Sequence, residues 1–230
     1  MKILLIAGHG AGDTGAVGGG FHEADLTRET VTKISAELKK SADVTVFDFS
    51  KNMYQYLKGG GKFDFSGYDY VLEVHFNAGA KKEQDGKTTG VEILVHTDES
   101  GVSVEEKILE KISALGLKSR GIKRRKDLRN MNVIHKKGIS YALLEVCFID
   151  DPDDMAVFSE KSGLIAKAAA DGIKEGFGMS EKELESVNDI VWELEHRGIL
   201  TNKELWLKKL SEDENSYWLA RKCVNYIINN

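Results

Sequence analysis

The chain has 230 residues, 41% of them hydrophobic and 30% charged, with a formal net charge of -5. That mixture excludes a disordered or low-complexity chain, and the acidic balance argues against binding nucleic acid through overall charge. Cys147 and Cys223 are too few for a disulfide framework, and no run approaches the roughly 18 apolar residues of a membrane span. Met1-Lys2 leads into only a few apolar residues and then glycines. No signal peptide is therefore expected, and the reading is a protein made in the cytoplasm.

Taken in chain order, short apolar runs alternate with amphipathic stretches. A first strand over 2–7 runs into LLIAGHG and ends at His9. A loop with seven glycines between Gly8 and Gly20 follows, and Glu23 precedes a helix over 24–40 that carries Leu26, Thr30, Ile34 and Leu38 at helical spacing. Strands are predicted near 43–49 and 69–75, the second within YVLEVHFNA and ending at His75. Between them Gly59-Gly60-Gly61 marks a mobile connection, and beyond them Asp85-Gly86 marks a turn.

Further strands are predicted near 89–96, 130–135 and 140–147, with a helix over 103–115. Lys118 to Arg129 is strongly basic, and it reads as a solvated run or as a site for anionic groups. Pro152 opens a short helix over 152–159, and an alanine-rich helix covers 161–177. The alternation predicts an α/β domain over 1–177, with a twisted mixed sheet of about six strands flanked by helices.

The tail over 180–230 reads as a small three-helix module. Ser180 with Glu183, Thr201 with Glu204, and Ser211 with Glu214 each form a capping-box pattern ahead of helical apolar spacing. Val187, Ile190, Val191 and Leu194 make one apolar face, Leu205 and Leu210 contribute to a second, and Trp218, Leu219, Val224 and Ile227 to a third. Gly198 is placed to end the first helix. About 50 residues is marginal for an independent domain, so the module docks on the larger domain, associates with a copy of itself, or is unusually well packed. Met179 follows Lys174-Glu175-Gly176, whose codons can spell a ribosome-binding sequence. An internal start there would release the tail alone, which intact-mass analysis of the expressed gene would detect or exclude.

The candidate chemistry rests on His9, Glu23 and His75. Two imidazoles and one carboxylate suit Zn2+, and three protein ligands leave a fourth position open for water. The glycine loop matches a dinucleotide cradle only loosely and would place a histidine among the phosphates. Glu73, two residues before His75 on the same strand face, is either a carboxylate that orients the histidine or a plain core-edge residue. His22 is expected to stand behind the ligands or in solvent, and His96, His135 and His196 to be solvated or structural.

The segments GHGAGDTGAVGGGFHEADL, EVHFNA and ALLEVCFIDDPDD, in that order, resemble the zinc-dependent N-acetylmuramoyl-L-alanine amidase family called Amidase_3. The resemblance covers roughly 1–177. It implies a single Zn2+ held by His9, Glu23 and His75, with Glu145 as the general base and acid. It also implies bacterial peptidoglycan as the substrate, cut at the amide joining N-acetylmuramic acid to L-alanine, with the basic run over Lys118 to Arg129 as a candidate site for anionic wall polymers or stem-peptide carboxylates. The tail is then expected to target the wall or to self-associate, with Trp192, Trp206, Trp218, Tyr217 and Tyr226 as sugar-stacking candidates or simply core. The absence of an expected export signal and of a repeated wall-binding tail is similar to phage endolysins, which reach the wall after release from the cytoplasm. Two alternatives stay open on the residues: a zinc carboxypeptidase or amidohydrolase acting on another amide, and a wall-binding protein without turnover.

Overall fold

The computed structural model describes residues 1–79, 88–179, 187–200 and 202–213, together with 216, 217, 220, 222 and 224. The chain divides into two compact units, Met1–Ser180 and Glu181–Asn230.

The first unit is built on a six-stranded mixed sheet. In chain order its elements begin with β1 (Lys2–Ala7), a small hairpin of β2 (Val17–Gly18) and β3 (Phe21–His22), α1 (Glu23–Leu38), β4 (Asp43–Val46) and α2 (Met53–Lys58). They continue with β5 (Tyr70–Asn77), β6 (Val91–His96), α3 (Ser103–Ser113), β7 (Ser119–Arg125), α4 (Arg129–His135), β8 (Ser140–Phe148) and α5 (Pro152–Gly176). The strand order is β4-β1-β5-β8-β6-β7, parallel throughout except where β6 runs antiparallel to β8.

Strand alternation divides the core in two. Ile3, Leu5, Leu72, Val74, Ala142 and Leu144 face α1, α3 and α5, whereas Leu4, Ile6, Val71, Tyr141 and Leu143 face α2 and α4. The parallel central strands are buried on both faces, which is why their sequences are nearly continuous apolar runs.

Two sequence expectations fail here. Residues 130–135, predicted as a strand, lie in α4: Met131 and Ile134 are three apart and both buried, so one face of a short helix packs on the sheet. The sixth strand is instead β7, inside the basic run. It is a sheet-edge strand whose exposed positions carry Lys and Arg, the usual protection against edge-to-edge pairing, and this hides the apolar alternation. The helices predicted over 152–159 and 161–177 are continuous in α5, with Lys161 alone in a non-helical conformation at their junction. Pro152 stands in the first turn, behind the Asp151 cap whose carboxylate accepts the Asp154 N–H. Gly59 and Gly60 close the end of α2, and Asp85-Gly86 lies outside the described residues.

The second unit contains α6 (Val187–His196) and α7 (Lys203–Glu212), and Ser216, Tyr217, Ala220, Lys222 and Val224 are also helical. Its own core is Ile190, Val191, Leu200, Leu210 and Val224, with Trp206 and Tyr217 packed against it. Gly198, at positive φ, turns the chain after α6. Asn202 caps α7 by accepting the Leu205 N–H, one residue beyond the expected Thr201, and Leu205 itself is exposed. Trp192 is half exposed and stacks on His196. Ser180, Glu183, Thr201, Glu214, Trp218, Leu219, Tyr226 and Ile227 lie outside the described residues, as does the side chain of Val187.

Candidate metal centre and active site

The C-terminal ends of β1 and β5 and the N-terminus of α1 converge. Gly8 stays on the sheet by donating its N–H to the Val74 carbonyl, and His9 then turns out of it at φ 60. A left-handed conformation at a non-glycine residue costs on the order of 1 kcal/mol and persists only where the surroundings hold it. Arg28 supplies part of that hold, donating to the carbonyls of Gly8 (3.2 Å), His9 (3.1 Å) and Ala24 (2.8 Å). A Cβ on Gly8 would fall 2.4 Å from the His75 ring, and one on Gly15 2.7 Å from both Glu23 and His9. Both glycines are therefore required for the two strand ends and the loop to close on one another.

His9, Glu23 and His75 come together as a group whose ligand atoms all lie within 4.8 Å of one another. His9 Nε2 is 3.1 Å from Glu23 Oε2, and His75 Nδ1 is 2.9 Å from Glu23 Oε1. Glu23 also accepts the backbone N–H groups of Ala16 and Phe76, both at 2.9 Å. Burial alone would raise its pKa, but the two imidazoles and these amides hold the carboxyl far below the usual range. Burial would likewise lower both imidazoles, yet the facing carboxylates raise His9, and raise His75 well above its ordinary value. A set of three groups poised this way can exchange protons for a cation.

Each histidine is braced from behind by a second carboxylate. His9 Nδ1 meets Asp13 at 2.9 Å, and Asp13 is itself fixed by the Gly15 N–H and the Asn52 side chain. His75 Nε2 meets buried Glu73 at 2.9 Å. Glu73 accepts further from Tyr141 Oη (2.7 Å) and Asn130 Nδ2 (2.9 Å), which together with His75 keep its pKa low against the opposing effect of burial. Such outer carboxylates fix the ring tautomer and raise ligand basicity. Sequence reasoning offered Glu73 as one of two readings and missed Asp13, Asn130 and Tyr141. Tyr141 was within reach, because strand alternation puts it on the face of Glu145. Asp13 and Asn130 had no signal, since their partners are set by a loop and by the misassigned α4.

Glu145 lies on β8 directly opposite His75 on β5. Its Oε2 is buried and has no hydrogen-bond partner among the described residues. Burial, reinforced by the charges of Glu23 and Glu92, pushes its pKa up to about 7 against the lowering effect of the two histidines. Glu92, opposite Glu145 on β6, is tied to Arg120 and Asn77 at 2.9 Å each. A carboxyl at that pKa can both take and return a proton near neutrality. A cavity of about 240 Å³ opens on the side of the two histidines that Asp13 and Glu73 brace, lined among others by His9, His75, Glu73, Tyr54 and Arg129 and not by Glu23 or Glu145.

Residues 3–175 match the family described as N-acetylmuramoyl-L-alanine amidase. The chain belongs to that amidase family. Among its relatives, the probable autolysin PH of Staphylococcus aureus (strain NCTC 8325 / PS 47) is 30% identical over 188 residues, 75% of this chain and 38% of that protein. The endolysin of Bacillus phage SPP1 is 27% identical over 186 residues, 78% of this chain and 67% of that protein. The fold is similar to that of the N-acetylmuramoyl-L-alanine amidase AmiC2 of Nostoc punctiforme, with a TM-score of 0.62, 18% identity, and coverage of 77% of this chain and 97% of that one. The chain thus spans well under half the length of the staphylococcal relative.

The remaining sequence candidates fall elsewhere. His22 is exposed, 3.6 Å from Asp25. His96 and His135 stack at 3.7 Å beside Asp98, and His96 accepts the Asp98 N–H. Within the basic run, Arg120 is paired with Glu92 and Arg125 with Asp127, and Arg124 donates to loop carbonyls. No helix among the described residues is long and apolar enough to cross a membrane.

Proposed function

We propose that this member of the amidase family is a zinc enzyme that hydrolyses the amide between the lactyl group of N-acetylmuramic acid and L-alanine in bacterial peptidoglycan. The observation that carries the reading is the opposition of His75 and Glu145 on adjacent strands, which sets a braced His-Glu-His group against a carboxylate with an unmet buried oxygen. His9, Glu23 and His75 would hold the ion. Two nitrogens and one carboxylate fit zinc better than the all-oxygen sites of magnesium or calcium. When bound, the ion supplies a polarised scissile carbonyl and a more acidic attacking water.

The chain's own residues do the rest. Glu145 takes a proton from the attacking water and returns it to the departing nitrogen of L-alanine, so one carboxyl serves as base and then acid. Its raised pKa suits both halves of that exchange. Asp13 and Glu73 hold the rings of His9 and His75 in one tautomer, and Arg28 fixes the backbone of His9. We assign the helical unit to wall targeting or self-association and the basic edge at β7 to contact with anionic wall polymers, the site of action being the cell wall. Product analysis on purified walls tests the reading. An amidase exposes L-alanine amino groups and leaves the glycan intact. Release of free amino acids would assign the site to a carboxypeptidase instead.

A further inference from the structure

The cavity beside His9 and His75 does not end at the metal ligands. A groove of about 390 Å³ adjoins it across α2 and α4, and the two share Tyr54, Asp127 and Arg129 in their lining. Lys136 lines the outer groove together with Asn132 and Val133. Three of these residues are charged, and they are not equivalent. Asp127 is held by both Nε and Nη2 of Arg125, at 2.8 and 2.6 Å, so its charge is already answered. The side chains of Arg129 and Lys136 have no ion-pair or hydrogen-bond partner among the described residues. The groove that adjoins the cavity at His9 and His75 therefore carries two cationic side chains, Arg129 and Lys136, against one carboxylate, Asp127, that Arg125 already neutralises.

Of the two arms that meet at the scissile amide, the glycan is a neutral N-acetylated sugar and the peptide carries carboxylates. We infer that the groove between α2 and α4 is the stem-peptide subsite, in which Arg129 and Lys136 bind a carboxylate on the peptide side of the cleaved bond. This rests on the amidase reading above. Arg129, exposed at the start of α4 and lining both spaces, recognises the carboxylate nearest the bond, which is the α-carboxylate of the second stem residue. Lys136, at the C-terminal cap of α4 about two turns further on, strengthens the same field. Tyr54 on α2 forms the opposite wall.

The test compares two soluble disaccharide peptides that differ only in whether the second residue's α-carboxylate is free or amidated. Charge-assisted contacts of this kind are worth about tenfold or more in kcat/KM. The native zinc-loaded protein is expected to favour the free acid by about that factor. Arg129→Gln should bring the ratio of the two kcat/KM values close to one through KM, Arg129→Lys should restore part of it, and Lys136→Gln should reduce it less. Equal hydrolysis of both substrates by the native protein, or an undiminished preference in folded Arg129→Gln and Lys136→Gln, would overturn the assignment. Failure to release amino groups from either substrate and from whole walls would instead bring down the amidase reading, and the subsite with it.

Discussion

The two faces of the central sheet are built from the same strands and differ in kind. On one, Leu72, Val74 and Leu144 pack against three helices of 16, 11 and 25 residues, and the contact is largely apolar, with Tyr70 donating its hydroxyl to buried Glu105 of α3. On the other, the covering helices α2 and α4 have only 6 and 7 residues, and beyond Val71 and Tyr141 the strands carry Glu73, His75 and Glu145. Alternation along β5 and β8 thus places a structural set and an ionisable set one residue apart. Long helices seal the first face. Short helices leave a cavity over the second, where buried carboxylates and imidazoles acquire shifted proton affinities. The face that carries the candidate site is the one the fold covers incompletely.

Substitutions one residue apart should separate these roles. Leu72→Ala on the sealed face should lower stability by about 3 kcal/mol, read as a shift in denaturant midpoint, while the folded fraction keeps its metal affinity. A loss of metal affinity equal to that of a site variant would break the comparison. On the other face, Glu73→Gln should weaken metal binding by about 10- to 100-fold with a smaller change in stability, measured by competition with a chelator. Unchanged affinity would mean that Tyr141 and Asn130 pack against a merely structural carboxylate.

The pH dependence of the ion-free protein sharpens the contrast further. His9 and His75 have folded pKa values above their unfolded ones, so their contribution to stability is complete below about 6.5 and is lost as pH rises through the raised values. Glu145 acts in the same direction: its contribution is complete below the ordinary glutamate value and is lost as pH rises through about 7. Melting of the chelated protein should therefore fall between about pH 6 and pH 9, and metal loading should flatten the slope by replacing those protons. A chelated protein that gains stability over that range would contradict the shifts. The smallest effect expected is from Asn52→Ala, which removes the α2 cap and a donor to Asp13. It should cost about 1 kcal/mol, seen by thermal unfolding, and a neutral result would remove Asn52 from the support of the second face.

The sealed face was the more legible one. Apolar runs located five of the six strands and the three long helices, because a strand buried on both sides leaves a plain hydrophobic trace. The open face was read through its chemistry: His9, Glu23, His75 and Glu145 stand at strand and loop ends, where the sequence pattern is sharp, and the structure brings them together. Its scaffold was not legible. The helix α4 is too short for periodicity to distinguish it from a strand, and β7 wears the charge of an edge. The partners Asp13 and Asn130 depend on those two misread or irregular regions, so their hydrogen bonds could not be anticipated. Arg129 stood out only as one charge among seven in the sequence, and what singles it out is its place in the lining of both cavities.

The most direct test of the central claim combines metal content with turnover. Release of L-alanine amino groups from purified walls is measured for zinc-loaded native protein, for chelated protein before and after zinc is restored, and for Glu145→Gln with its bound zinc counted. The account predicts that activity disappears and returns with zinc, and that Glu145→Gln retains one zinc while turning over at least about 100-fold more slowly. Full activity in the chelated protein, or native turnover by zinc-loaded Glu145→Gln, would contradict it.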